Sequence, residues 1–337
     1  MKSIKHTLLK HSQQNYGLVN IGDHIQSCAA EQFMPKIDFY TERDKLNMEI
    51  KNPAKVILNG WFTDAPENWP PHPKLIPLFI SFHLQPKSAE IILSAEENIQ
   101  YLKKHAPIGC RDYQTVNMLK QKGIDSYYSF CLTSTLGIKF FSKQKEDKIY
   151  FVDPLYSYDS RAIRKLSLKS IIKNPPIKKL YKIKDYFFQK TKLKEYVPKE
   201  IIEKAETINH YVKANKTNSQ LYKTAKEYIK KYSKAKLVVT SRIHCAIPCL
   251  ALKTPVLFLL DGLLDENQHL SRFRGVLEHI NILTIQDKEK INSLFGKKMN
   301  VYYPEEIDWN SPPKNPESFI KLSKALEKKC RSFILNQ

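Results

Sequence analysis

The chain has 337 residues, 42% of them apolar and 26% charged, which is ample for a buried core and excludes a disordered protein. Lys and Arg number 55 against 34 Asp and Glu, a net charge of +21, so an anionic partner is expected: a phosphorylated metabolite, an acidic glycan, nucleic acid or a membrane surface. The nine glycines, at 17, 22, 60, 109, 123, 137, 262, 275 and 296, fit neither G-x-G-x-x-G nor G-x-x-x-x-G-K, which excludes a glycine-fingerprint dinucleotide site and a Walker P-loop.

Short apolar runs alternate with helical patterns along the first half. Tyr16–Val19 is apolar, and the following segment places Ile25, Cys28, Ala29 and Phe33 on one helical face. KVILNGWF predicts a buried strand over Val56–Leu58 that ends at Asn59-Gly60. LIPLFISFHL (75–84) predicts another, with His83 near its C-terminal end. APIGCRDYQTVNMLKQKGI reads as strand, turn and helix, with Val116, Leu119 and Met118 inward. A second series begins at KIYFVDPL (148–155), a strand ending at Asp153. Residues 164 to 204 hold thirteen Lys or Arg against four Asp or Glu, interleaved with Tyr181, Tyr186, Phe187, Phe188 and Tyr196. A helix is expected around 217–233, then a strand over Leu237–Thr240, a helix over Arg242–Leu252 and a strand over Val256–Leu260. VLEHINILTI repeats helix and strand, and a last helix, Glu317–Leu335, follows Pro312, Pro313 and Pro316.

Repeated strand–turn–helix units predict an α/β fold with parallel sheets. The expected architecture is two Rossmann-like domains, 1–143 and 144–313, facing each other across a cleft. A helix within 314–337 would cross back to complete the first. The ligand is then expected at the carboxyl ends of the strands.

The six cysteines (28, 110, 131, 245, 249 and 330) never form C-x-x-C and read as buried free thiols of a reducing compartment. Cys245 and Cys249 read as apolar packing, not as metal ligands. Absence of D-x-D and H-E-x-x-H argues against metal-dependent single-Rossmann sugar transferases and zincins. The opening MKSIKHTLLKHSQQNYG lacks the apolar core of a signal peptide, and the longest apolar stretch, Cys245 to Leu260, is broken by Lys253 and two prolines. A cytoplasmic location is expected.

The sharpest chemical signal is Ser241-Arg242-Ile243-His244, where a buried strand meets a helix. Ser241 reads as the N-cap, the helix terminus as an anion cradle, and Arg242 as a grip on phosphate or carboxylate. His244, one turn in, is placed to exchange a proton with the bound anion. Arg111-Asp112 opens another helix, and Asn20-Ile21-Gly22-Asp23 makes an early turn. Asn59 and His83 follow strands and can line the same cleft. Arg272 and Arg274 read as a solvated loop, and Trp61–Trp69 as a packed one.

In order and neighbourhood these elements resemble the polysaccharide pyruvyl transferase family: the N-x-G-D turn (Asn20, Gly22, Asp23), the strand into Asn59-Gly60, the Arg111–Asp112 pair, and the S-R-x-H stretch Ser241–His244, followed by a helix into a Pro-led strand. Cys245 departs from the family pattern, which has Gly after the His. The resemblance implies a GT-B-like fold and transfer of pyruvate from phosphoenolpyruvate to a sugar of a surface polysaccharide or its lipid-linked precursor, giving a cyclic ketal. It implies His244 and Arg242 as catalytic residues, with Arg111, Ser241, Arg242 and His244 on the donor side and Asn20, Asp23, Asn59 and His83 on the acceptor side. No metal and no further cofactor are expected. Phosphoenolpyruvate carries a phosphate and a carboxylate, which suits two arginines on opposite walls. The rival reading is a GT-B glycosyltransferase using a nucleotide sugar. The basic segment 164–204 suggests contact with an anionic membrane; no nucleic-acid motif accompanies it, so no nucleic-acid partner is expected.

Overall fold

The computed structural model describes residues 4–12, 17–156 and 191–336. In the first half the strands are β1 (Lys5–Lys10), β2 (Leu18–Asn20), β3 (Phe39–Glu42), β4 (Ala54–Gly60), β5 (Leu75–Phe82), β6 (Ile108–Cys110) and β7 (Ser126–Tyr128). All but β2 join one parallel sheet in the order β3–β1–β4–β5–β6–β7. Every residue of β4 is buried, as expected for an inner strand of a sheet covered on both faces. The covering helices are α1 (Ile21–Glu31), α2 (Pro86–Ile92), α3 (Glu96–Lys104) and α4 (Tyr113–Gln121). Asn20 caps α1 by accepting from the Gly22 N–H, and Asp112 caps α4 by accepting from that of Thr115.

The second half holds β8 (Ile149–Val152), β9 (Glu206–Ile208), β10 (Tyr211–Lys213), β11 (Leu237–Thr240), β12 (Val256–Leu259), β13 (Asn281–Leu283) and β14 (Val301–Tyr302). Apart from β10 they form a second parallel sheet, β14–β13–β12–β11–β8–β9. Its helices are α5 (Lys199–Lys204), α6 (Asn218–Lys234), α7 (Ile243–Ala251) and α8 (Lys288–Phe295). The chain closes with α9 (Ile320–Leu335), which returns to the first half: Lys55 Nζ donates to the carbonyls of Phe333 and Ile334, and Ser323 Oγ to that of Ser134. The protein is therefore a mixed α/β structure with two six-stranded parallel sheets.

Two features join the halves. One continuous apolar core runs from α1 (Ile21, Ile25, Cys28, Ala29) through α6 (Leu221, Ala225, Ile229) to α7 (Cys245, Ala246, Ile247). In addition, β2 and β10 pair antiparallel, setting Tyr211 opposite Asn20, and the Ile21 N–H donates to the His210 carbonyl at 2.7 Å.

Several sequence expectations need correction. KHTLLK, read only for what it lacks as a leader, is strand β1 inside the sheet, with Thr7, Leu8 and Leu9 buried. The apolar run before α1 yields β2, which serves the clasp with β10 and not the parallel sheet; Tyr16 lies outside the described residues. The expected helix in VLEHINILTI is a single tight turn, Leu277–His279. Of the segment 164–204, positions 164–190, with Tyr181, Tyr186, Phe187 and Phe188, lie outside the described residues. Tyr196 is core, its hydroxyl donating to Asp261 Oδ2 at 2.7 Å. All six cysteines are free and buried. Among the described residues no helix is long and apolar enough to cross a membrane.

Candidate active site

A pocket enclosing about 150 Å³ lies where strands of both sheets end. Trp61 follows β4, His83 and Gln85 follow β5, and Arg111 follows β6; on the other side, Tyr156 comes after β8, Tyr211 opens β10, and Arg242 and His244 follow β11. Parallel α/β sheets bind ligands at such carboxyl ends, because there the loops and helix N-termini meet.

Arg242 is held from three directions. Its Nε donates to Asp153 Oδ2 at 3.0 Å, and its guanidinium carbon lies 3.7 Å from the Tyr156 ring centre and 5.0 Å from that of Tyr211. Burial works to lower its pKa, but Asp153 and the two tyrosines outweigh burial and raise it. The same Asp153 oxygen accepts from the His210 N–H at 3.1 Å, so one carboxylate at the end of β8 fixes both the arginine and the β9–β10 connection.

Arg111 is built differently. It is 2% exposed, and its Nε has no hydrogen-bond partner. The nearest carboxylate oxygen, Asp112 Oδ2, is 4.0 Å away and already engages His83 Nδ1 at 2.7 Å. Burial lowers the Arg111 pKa, and Asp112 only partly offsets this. One Arg111 terminal nitrogen sits 3.1 Å from His244 Nε2. A guanidinium can only donate, so Nε2 accepts and the proton of a neutral imidazole rests on Nδ1. Burial, with Arg111 next in importance, holds the His244 pKa well below its ordinary value.

The same argument assigns His83. The Asp112 carboxylate only accepts, so His83 carries its proton on Nδ1 and keeps a lone pair on Nε2. Burial, reinforced by Arg111, pushes its pKa down to about 4. Asp23, whose pKa burial raises, accepts from Arg43 at 3.3 Å and from Gln26 Nε2 at 3.3 Å. Gly22 lets α1 come this close: a Cβ there would stand 3.3 Å from His244 Cβ and 3.4 Å from His210 Nδ1.

Of the residues singled out in the sequence, Asn20, Asp23, His83, Arg111, Arg242 and His244 meet at the pocket. Two do not. Ser241 is not the cap of α7: its hydroxyl donates to the Leu259 carbonyl and accepts from the Leu155 N–H, tying three strand ends together. The Asn59 amide donates to the Gln26 carbonyl inside the first half, next to Gly60, where a Cβ would meet the Gln26 side chain at 1.8 Å. Arg272, expected in a solvated loop, lines the pocket and donates to the Tyr156 hydroxyl at 2.9 Å, whereas Arg274 pairs with Glu266 outside the lining. Trp69 packs in an aromatic cluster with Phe62 and Phe82, but Trp61 faces the pocket. Cys245, which departs from the expected Gly, is fully buried in the core and does not line it. Sequence reading missed Tyr156, His210 and Tyr211. The only local signal for the last two was their place after a short apolar stretch, since the β2–β10 pairing that brings them in is nonlocal. Among the described residues no group of three or more His, Cys, Asp or Glu is placed to hold a metal ion.

No curated protein and no solved structure matches the chain. The family model for polysaccharide pyruvyl transferase does match, over residues 20–260, a span running from Asn20 past the S-R-x-H stretch to the end of β12. The chain belongs to the polysaccharide pyruvyl transferase family.

Proposed function

We propose that the protein transfers the pyruvyl group of phosphoenolpyruvate to two hydroxyls of a sugar, in a surface polysaccharide or its lipid-linked precursor, forming a cyclic ketal and releasing phosphate. The observation that carries this reading is the contact between Arg111 and His244: a buried, under-compensated guanidinium occupies the imidazole nitrogen that has to move the proton. The donor's phosphate and carboxylate supply the counter-charge that Arg111, Arg242 and Arg272 lack between them. Once donor oxygens take the Arg111 N–H groups, His244 Nε2 is released, and the adjacent anion raises its affinity for a proton. Binding the donor thus generates the acid.

The proton on His244 goes to C3 of the enol, and positive charge develops at C2. One acceptor hydroxyl bonds to C2 and gives its proton to a base on the facing wall. The C2–O bond to phosphate breaks, with its electron pair leaving on phosphate. The second hydroxyl then closes the ketal at C2. Two hydroxyl protons are lost in all; one balances the proton gained at C3, and the other leaves with the phosphate. Asp23, whose basicity burial increases, and His83, with Nε2 free while Asp112 holds Nδ1, are the acceptor-side bases. The scheme draws on no metal and no further cofactor. In this reading the two sheets are the lobes of a GT-B-like pair. Residues 1–143 with the helix in 314–337 form the acceptor side, and 144–313 the donor side, working in the cytoplasm near the lipid-linked acceptor.

The part of the pocket beside the arginines, within about 150 Å³, suits a three-carbon phosphate. The test is incubation with phosphoenolpyruvate and candidate glycans. The expected result is a glycan heavier by pyruvate less one water, with one phosphate released per adduct, and a melting temperature raised by phosphoenolpyruvate but not by nucleotide sugars. The opposite thermal response overturns the reading.

A further inference from the structure

We propose that Trp61 and Asp23 form the subsite that seats the acceptor's sugar ring, the indole stacking on its C–H face and the carboxylate receiving its hydroxyls. This rests on the function proposed above and assigns the acceptor side to named groups.

Arg43 builds the subsite. Its side chain is 2% exposed, and it donates from one terminal nitrogen to Asp23 Oδ2 at 3.3 Å and from Nε to both Asp44 oxygens at 3.1 and 3.2 Å. Its guanidinium carbon lies 5.6 Å from the centre of the Trp61 ring. One buried cation therefore holds both a carboxylate and an indole of the pocket lining. With Asp23 and Asp44 beside it, Arg43 is charge-compensated and is a scaffold, not an anion grip.

The pocket lining therefore mixes two chemistries: the cations Arg111, Arg242 and Arg272, and an indole, a carboxylate and an amide from Trp61, Asp23 and Gln85. An aromatic face beside a carboxylate and an amide repels a phosphate and suits a polyhydroxylated ring with one apolar face. The indole N–H is buried and has no hydrogen-bond partner. An unpaired buried donor costs stability that a phenylalanine packed in the same place would avoid. An indole whose N–H does nothing for the fold is accounted for by the larger face it turns to a ligand.

Saturation-transfer NMR tests this with methyl glucoside, galactoside, mannoside and N-acetylglucosaminide as probes, in the presence of phosphoenolpyruvate. At least one probe is expected to receive saturation in the wild type, concentrated on the C–H protons of one ring face. Trp61→Ala and Asp23→Asn should weaken that transfer at least about tenfold, while Trp61→Phe retains most of it. In all three variants phosphoenolpyruvate should still raise the melting temperature, which also shows that they fold. No transfer to any probe in the wild type, or transfer undiminished in Trp61→Ala, overturns the subsite. A donor that stabilises neither wild type nor variants overturns the proposed function instead.

Discussion

Arg111 and Arg242 reach one pocket from opposite sheets and are held in opposite ways. Arg242 has a carboxylate on its Nε, a tyrosine ring 3.7 Å away and another at 5.0 Å, and its pKa is raised. Arg111 lies deeper, has an orphaned Nε and a neutral imidazole as its close contact, and its pKa is lowered. The first is a finished ion pair whose geometry is fixed before any ligand arrives. The second is an incomplete one, and in the proposed function the donor's anionic groups complete it. Burying a charge without compensation is costly, and here the cost falls on a residue that contacts His244.

The largest effect should come from the group between them. His244→Ala is expected to lower turnover at least about a hundredfold, as for loss of a general acid. The imidazole is neutral in the free protein because its pKa lies well below 6.5, and a bound anion raises that pKa. Donor binding should therefore take up a proton near neutral pH, and affinity should rise as pH falls, by no more than about tenfold per unit. Calorimetry in buffers of different ionisation enthalpy reads the uptake, which His244→Ala should abolish. Pyruvylation at the wild-type rate by that variant removes His244 from the chemistry.

Truncating the two arginines should separate them by sign. Arg111→Ala is expected to weaken donor binding roughly tens-fold, as for one or two charge-assisted hydrogen bonds, while leaving the melting temperature unchanged or higher. Arg242→Ala leaves the fully buried Asp153 carboxylate without its guanidinium, and the melting temperature should drop by several degrees together with turnover. Parallel thermal melts and donor titrations decide the matter. Equal destabilisation by both substitutions would erase the distinction between a finished and an unfinished pair.

The difference also explains what sequence could and could not reveal. Leu237–Thr240, the helix after it and Val256–Leu259 were legible because unbroken apolar runs and Pro-led restarts mark buried parallel strands. Arg242 and His244 followed, since a strand end that becomes a helix is local information. The compensating groups were hidden. Asp153 lies nearly ninety positions before Arg242, and Tyr211 arrives only through the pairing of β10 with β2. Ser241 looked like a cap from its position, but a carbonyl on β12 claims its hydroxyl. KHTLLK concealed a strand because lysines at both ends mask a three-residue buried centre. Arg272 was misjudged because charge alone suggests solvent, whereas the fold turns it onto Tyr156.

The smallest and most discriminating test converts one arginine into the other's condition. Asp153 has φ +43, a left-handed backbone that Asn adopts readily, and an Asn Oδ1 can still accept from Arg242 Nε and the His210 N–H. Asp153→Asn therefore keeps these two hydrogen bonds while deleting the charge. Arg242 then resembles Arg111, a buried cation in want of an anion, so the free protein should melt a few degrees lower. Donor affinity should hold or tighten by a few-fold, because the ligand now compensates one cation more. The rise in melting temperature on adding phosphoenolpyruvate should accordingly be larger in the variant than in the wild type. A smaller rise would mean that Asp153 serves the donor through its charge and not only through the orientation of Arg242, and the two arginines would then have to be treated as one electrostatic unit.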